Sequence, residues 1–395
     1  MPLTSITTIR EPVVAPHVPI RGRAWYSDPE RGKLAVSIPT CRRPDLLCAL
    51  LEDLARQTVQ PDLLIVVDGD PQSGDVRRLL CDTGVSVSWR TVYLASNHAN
   101  LPYQRYLGWK ASAGYRVLLY LDDDLRIRQK SCLEKLVAPL AWQGRNIVGV
   151  TARIAFPRRL KFAAAAGEGP LSDRPGVVPR ALIRFGAGRH VSPGGLTPSG
   201  HRKLPRFAKQ LYAPVDWLHG GVMAYRRDAL TADCFSDDLF ALAQLGCGLG
   251  EDTVLSRRVA GKGELLYAFC ARVAHPGRHT PRAYATDSFR LGYATAFSRR
   301  LINDNYRGLP PPQLADRLAL LKSYAGTAAL EGLRAVRSLR RDRFEYSLGY
   351  ALGAMRGLLR APQASRVTPN VEWWLDAETA LVRAERLRPP VTAIL

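Results

Sequence analysis

No stretch of this chain is apolar enough to cross a bilayer, because the uninterrupted run of roughly 18 residues that a span requires is absent. Residues 1–20 carry Arg10, Glu11 and several prolines and lack the apolar core of a secretory signal. The cytoplasm is therefore the expected location. Cysteine is sparse: there are seven, an odd number, and no two are spaced Cys-x-x-Cys. That pattern argues against a disulfide framework and against a zinc site. Cys41 and Cys48 flank a helix start without a convincing catalytic partner. Acids are also short, 35 against 56 Lys and Arg, which leaves a net charge of +21. So large an excess suggests an anionic partner: nucleic acid, an acidic polymer or an anionic membrane face. Its distribution is uneven, since residues 151–212 hold twelve cations and two acids and so supply +10 of the +21.

What is present is an ordinary globular composition, 46% hydrophobic and 23% charged, in a length that suits one large domain with additions or two domains. Residues 118–125 read Leu-Leu-Tyr-Leu-Asp-Asp-Asp-Leu, an apolar run that stops in three carboxylates. Continuous apolar runs suit parallel strands covered on both faces, and ligands bind beyond the carboxyl ends of such strands. Adjacent carboxylates repel one another unless a cation neutralises them, and hard oxygen ligands favour Mg2+ or Mn2+. Asp122 and Asp124, two apart, point the same way on an extended chain. The alternative is a polar turn with Asp capping the next helix.

Residues 1–32 are proline-dotted and read as an extended arm. Strands are expected at 33–39, 63–67, 85–94 and 117–121, with helices after 45, at 75–80 and at 100–113, the alternation that signals a parallel α/β sheet. The second strand also ends in acids, Asp68-Gly69-Asp70. A helix at 134–142 and a strand at 147–155 lead into the basic, Gly- and Pro-rich segment 151–212, whose length suits a lid or binding loop. Paired glycines, Gly220 and Gly221, open another strand. Glu251 and Asp252 start a helix over 253–260, at its positive end, where they act as plain capping charges or as working acids. A strand at 264–269 then leads to His275. Beyond about 287 the pattern is helical throughout, with leucines alternating with arginines, as in helices that lie on an anionic membrane or pack on the enzyme body.

This succession resembles the family-2-type glycosyltransferases with a GT-A fold. The resemblance rests on Val36-Ser37-Ile38-Pro39-Thr40, Val66-Val67-Asp68, Asn97 through Arg105 to Gly108, and Leu121-Asp122-Asp123-Asp124. It continues in Trp217 with Gly220-Gly221 and Arg226-Arg227, in Gly250-Glu251-Asp252 with Leu255, and in His275. It implies a transferase domain over 33–290, with a nucleotide half at 33–125 and an acceptor half at 126–290, followed by a helical region at 291–395. Implied metal ligands for Mn2+ or Mg2+ are Asp124, Asp122 and His275, the last being otherwise a plain loop histidine. Asp252 is the implied catalytic base with Glu251 beside it, and the reaction is a single displacement that inverts the anomeric centre. Thr40, Asp68, Arg105, Asp122 and Asp123 fall to the nucleotide-sugar donor, a UDP-sugar first. Trp217, Gly220 and Gly221 fall to the acceptor, Trp217 being nearly as well read as a core residue. The acceptor is expected to be an anionic or lipid-linked glycan or polymer, as in cell-envelope glycan synthesis, with the C-terminal helices at the inner face of a membrane.

Two features depart from the usual pattern: the second strand ends Asp-Gly-Asp, and Gln104 and Tyr106 flank Arg105 where smaller residues and Asn are common. A Gln-x-x-Arg-Trp segment, which processive synthases of this type carry, is missing, so a distributive transferase is expected. A nucleotidyltransferase would carry glycines after the first strand, and Thr40-Cys41-Arg42-Arg43-Pro44 has none. The remaining alternative is a protein that binds nucleic acid or anionic polymers on an inactive core, although aromatics are too scattered among the basic residues for a stacking surface.

Overall fold

The four apolar runs of the first third form parallel strands. In a computed structural model of the protein they are β1 (Leu34–Thr40), β2 (Leu63–Asp68), β3 (Arg90–Ala95) and β4 (Val117–Leu121). The structure describes residues 33–82, 89–155, 211–236, 250–276, 351–356 and 371–387. It also describes short pieces at 193–196, 202, 204–205, 239–240 and 289, and isolated positions between 318 and 349. The arm at 1–32, most of the basic segment and part of the expected third strand lie outside them.

Helices α1 (Pro44–Ala55), α2 (Asp75–Asp82) and α3 (Leu101–Ala111) fill the crossovers between these strands. Alternation along β1 divides the core: Leu34, Val36 and Ile38 pack with Leu47, Leu50 and Leu54 of α1, whereas Ala35 joins Tyr103 and Leu107 of α3. On the α3 side the backbones come very close. A Cβ on Gly108 would lie 2.0 Å from Ser37 Oγ, so only glycine fits that turn of the helix.

The second half adds α4 (Cys132–Val137), β5 (Ile147–Ala155), β6 (Tyr212–Val215), β7 (Val222–Arg226), α5 (Glu251–Ala260) and β8 (Glu264–Ala274). The strand order is β6-β8-β5-β7-β4-β1-β2-β3-β9, and six of the nine strands (β1 to β5 and β8) run in one direction. The expected α/β sheet, mostly parallel and flanked by helices, is what forms. Its consequence is positional: the ends of β1, β2, β4 and β8 and the start of antiparallel β7 all meet at one edge.

Some boundaries differ from the sequence reading. The helix expected at 134–142 stops at Val137 and passes into a 3-10 turn, Ala138–Ala141, that contains Pro139. Strand β8 runs to Ala274, five residues beyond expectation at 269, because it pairs with β5 past a register shift. The C-terminal region is not helical throughout. Helix α6 (Val371–Val382) is followed by β9 (Glu385–Leu387), which pairs antiparallel with the outer edge of β3. An exposed sheet edge offers unpaired N–H and C=O groups, and this short strand satisfies them. Lys110 Nζ to Glu378 Oε1 and His98 Nε2 to Asp376 Oδ2, each 3.0 Å, hold α6 near α3. No helix among the described residues is long and apolar enough to cross a membrane.

Candidate active site

The acids that end β4 reach three different neighbours. Asp123 is buried: its Oδ2 accepts the Thr40 hydroxyl at 2.8 Å and its Oδ1 accepts Arg43 Nη1 at 3.1 Å. Burial pushes its carboxyl up to about 7, against the pull of Arg43. Thr40 and Asp123, expected on the donor, therefore engage each other and lock β1 to β4. Asp68 is fully buried at the end of β2, with Oδ1 on the Asp70 amide (2.9 Å) and Oδ2 on the Tyr93 hydroxyl (3.0 Å). Burial raises its pKa, partly offset by those two hydrogen bonds.

Asp124 meets His275. The bridge between Arg126 and Ala274, with N–H to O distances of 2.8 and 2.9 Å, brings the segment after β4 alongside the end of β8. His275 Nε2 then lies 3.5 Å from Asp124 Oδ1. Asp122 does not join them, since its Oδ1 faces Arg105 Nη2 at 3.1 Å. Accordingly, no group of three metal-ligating side chains converges among the described residues. A carboxylate and an imidazole this close still suit a hard divalent ion whose other positions are filled by substrate phosphates and water, the usual habit of Mg2+. Of the three expected ligands, Asp124 and His275 lie side by side, and Asp122 is engaged by Arg105.

Arg105 is the centre of the site. Only 1% exposed, it donates from Nη1 to Glu251 Oε1 (3.0 Å) and from Nη2 to Asp122 Oδ1 (3.1 Å) and to the Gly220 carbonyl (2.8 Å). The sequence reading placed it on the donor; here both ends of its fork engage protein groups. Burial disfavours its charge, but Asp122, Glu251 and Asp252 outweigh that and hold it firmly cationic. Glu251 goes the other way. Burial first, then repulsion from Asp252, pushes its carboxyl up to about 8, and its Oε2 has no hydrogen-bond partner.

Asp252 occupies the first turn of α5. Its Oδ2 accepts the Gly220 amide at 2.6 Å, and its Oδ1 accepts the Thr253 amide at 2.6 Å and Arg202 Nη2. Burial would raise its pKa, yet the charge and hydrogen bond of Arg202, with the Arg105 charge behind them, outweigh this and hold it low. Gly220 makes the approach possible, because a Cβ there would stand 2.6 Å from Asp252 Oδ2. Gly221 ties the other side, its carbonyl accepting the Asp122 amide at 3.0 Å. His219 is half-buried beside them, and desolvation, with Arg202 second, drops its pKa to about 3, so the imidazole is neutral.

Residues 35–190 match the family described as Glycosyl transferase family 2. The match covers under half of the chain and takes in β1 to β5 with the Asp122–Asp124 run. No curated protein matches the chain. Among solved structures, the mannosyltransferase PcManGT from Pyrobaculum calidifontis, in complex with GDP-Man and Mn2+, is 15% identical, with 87% of this chain and 93% of that one covered and a TM-score of 0.47. TarS 1-349 from S. aureus is 12% identical, with 85% and 93% covered and a TM-score of 0.36.

The chain thus gathers most of its expected site residues at one sheet edge. Trp217 was a candidate stacking wall, but its ring is 1% exposed, faces Tyr267 edge-on and has the Arg202 guanidinium 5.5 Å from its centroid. In this conformation it is a core residue with a covered face. Arg202, Arg43 and His219 are participants that sequence reading did not single out, and Gln104 is one that it noted only as a departure from the pattern. Gln104 Nε2 donates to the Thr40 carbonyl (2.9 Å) and the Val67 carbonyl (2.8 Å), stapling the ends of β1 and β2. Tyr106 packs on Trp109, Phe235 and Phe240. The two unusual neighbours of Arg105 therefore have structural work in this chain. Arg202 lies 50 positions from its partner, with no periodicity to join them.

Proposed function

We propose that this glycosyltransferase has a GT-A fold and moves one sugar from a nucleotide-sugar donor, a UDP-sugar first, to a hydroxyl of an anionic glycan, polymer or lipid-linked acceptor, with inversion and with Mn2+ or Mg2+. The observation that carries the reading is the meeting, at one sheet edge, of Asp122 and Asp124 from β4, His275 after β8 and the Glu251-Asp252 pair on α5, with Arg105 joining the first acid to the pair. Asp124 and His275 would hold the ion, which when bound stabilises the charge of the departing nucleoside diphosphate. Asp252 takes the proton of the acceptor hydroxyl as its oxygen bonds to the anomeric carbon and the bond to the diphosphate breaks, with the electron pair leaving on the diphosphate. One base and no covalent nucleophile give inversion.

Arg105 and the 220–221 loop fix Asp252 relative to Asp122, a distance that a displacement reaction cannot let vary. Asp68, Thr40 and Asp123 shape the nucleotide side from beneath. Acidic acceptors fit the basic segment, and exposed Leu333, Val336, Leu348 and Met355 suit a membrane face.

The test is calorimetric titration of UDP, GDP, CDP and dTDP, with and without Mn2+, into wild type and Asp124→Ala. Metal-dependent binding of one nucleotide, weakened about tenfold or more in the variant, is expected. Equal binding by both proteins would remove Asp124 from the site, and no binding of any nucleotide would defeat the transferase reading.

A further inference from the structure

Arg202 reaches the site from the basic segment and closes it on the acceptor side. Its Nη2 donates to Asp252 Oδ1 and to Thr253 Oγ1 (2.7 Å), its Nε donates to the same hydroxyl (3.0 Å), and its guanidinium covers the Trp217 ring. Both partners are nearly sealed, with Arg202 at 11% and Asp252 at 8% side-chain exposure. The amides of Gly220 and Thr253 take further positions on the same carboxylate. With three N–H donors on it and 8% of its side chain exposed, this carboxylate leaves little room for an acceptor hydroxyl, and a guanidinium beside it makes it a poor base. Chemistry at Asp252 requires Arg202 to leave.

A guanidinium gives up a carboxylate most readily for another oxyanion that offers the same forked pair of acceptors. Trp217 favours such a move, because a flat ring supports the cation over a range of positions. We propose that Arg202 is the acceptor-recognition residue: it holds Asp252 while no acceptor is present and passes to an oxyanion on the acceptor, a phosphate or a carboxylate, which frees Asp252 for the hydroxyl proton. The proposal rests on the transferase reading and adds a requirement to it, since a neutral acceptor would leave the base closed. It also makes Asp252 and the acceptor anion competitors for one cation, and such competition is reciprocal.

The experiment titrates glycerol 3-phosphate and, separately, glucuronate into the full chain in EDTA, using wild type, Arg202→Gln, Arg202→Lys and Asp252→Asn. Arg202→Gln should weaken binding of the preferred anion about tenfold or more, with Arg202→Lys between it and wild type. Asp252→Asn, which removes the competing carboxylate, should tighten it several-fold, an outcome that a merely structural Arg202–Asp252 pair would not give. Which probe responds tells phosphate from carboxylate. Unchanged or weaker binding by Asp252→Asn, wild-type affinity in Arg202→Gln, or no binding by any of the four proteins overturns the proposal. Nucleotide binding with Mn2+, measured on the same samples, verifies that each variant is folded and separates the two readings. If nucleotides bind while Asp252→Asn fails to tighten, only the Arg202 proposal falls; if the anion pattern appears without nucleotide binding, the transferase reading falls and takes the acceptor role with it, leaving Arg202 an anion-binding residue.

Discussion

Arg105 is sealed under two carboxylates, and removing a partner from a buried ion pair costs far more than the pair contributes, because the remaining charges stay desolvated. Arg105→Met leaves Asp122 without its cation and Glu251 Oε1 and the Gly220 carbonyl without their donor. The expected loss is on the order of 3–5 kcal/mol in urea unfolding, with transfer activity abolished. Arg105→Lys keeps the charge but not the fork, so it should recover part of the stability and little activity. A variant as stable as wild type would show that the two acids do not depend on this cation. The motif in the sequence identifies Arg105 as a site residue, but not which way its side chain is spent. That depends on Glu251, 146 residues away, and no local pattern reports such a distance.

At the level of elements, α1 shows an acid on a buried face. Leu47, Leu50, Leu51 and Leu54 are the apolar stripe that the sequence displays, yet Asp53 is buried among them. Its Oδ2 accepts Arg126 Nε (2.8 Å) and the Ile127 amide (2.8 Å), and its Oδ1 accepts Arg126 Nη2 (3.1 Å). This fastens α1 to the chain just after the Asp122–Asp124 run. Burial would raise its pKa, but these hydrogen bonds and the Arg126 charge outweigh it and hold the carboxyl below its ordinary value. A depressed folded-state pKa gives stability that is present above the unfolded value, near 3.9, and lost as pH falls through the folded one. Asp53→Asn should therefore destabilise at neutral pH by about 1–3 kcal/mol and less at acid pH, so that urea midpoints of the two proteins converge on acidification. Parallel midpoints at all pH values would contradict this.

The same helix marks the limit of sequence reading. Strands β1, β2 and β4 were legible because each is a continuous apolar run ending in polar residues, and α1 and α5 because of their leucine and valine spacing. By contrast, β6 and β9 are short, and β9 is made by pairing with an open edge, not by its own composition. The acids of β4 were legible as a cluster, but their separation into a latch (Asp123), an arginine partner (Asp122) and a histidine partner (Asp124) needed the neighbouring strands.

For the molecule as a whole, the excess of 56 cations over 35 acids sets how it meets its surroundings. Val336 at 63% and Leu348 at 54% exposure place apolar side chains outward in a region rich in arginine. The expected result is co-sedimentation with phosphatidylglycerol vesicles at low ionic strength, reduced at high salt and absent with neutral phosphatidylcholine vesicles. Equal recovery with neutral vesicles would point to apolar contact alone, and no recovery with either would exclude the membrane face.

Strand β9 carries one more implication. Glu385 to Leu387 pair with Tyr93 to Thr91, close to 300 positions earlier in the chain. During synthesis, the outer side of β3 waits, unpaired, until close to 300 further residues have been made. Contact of such high sequence separation delays completion of that rim and leaves the growing chain to rely on other means of keeping it from pairing with strangers.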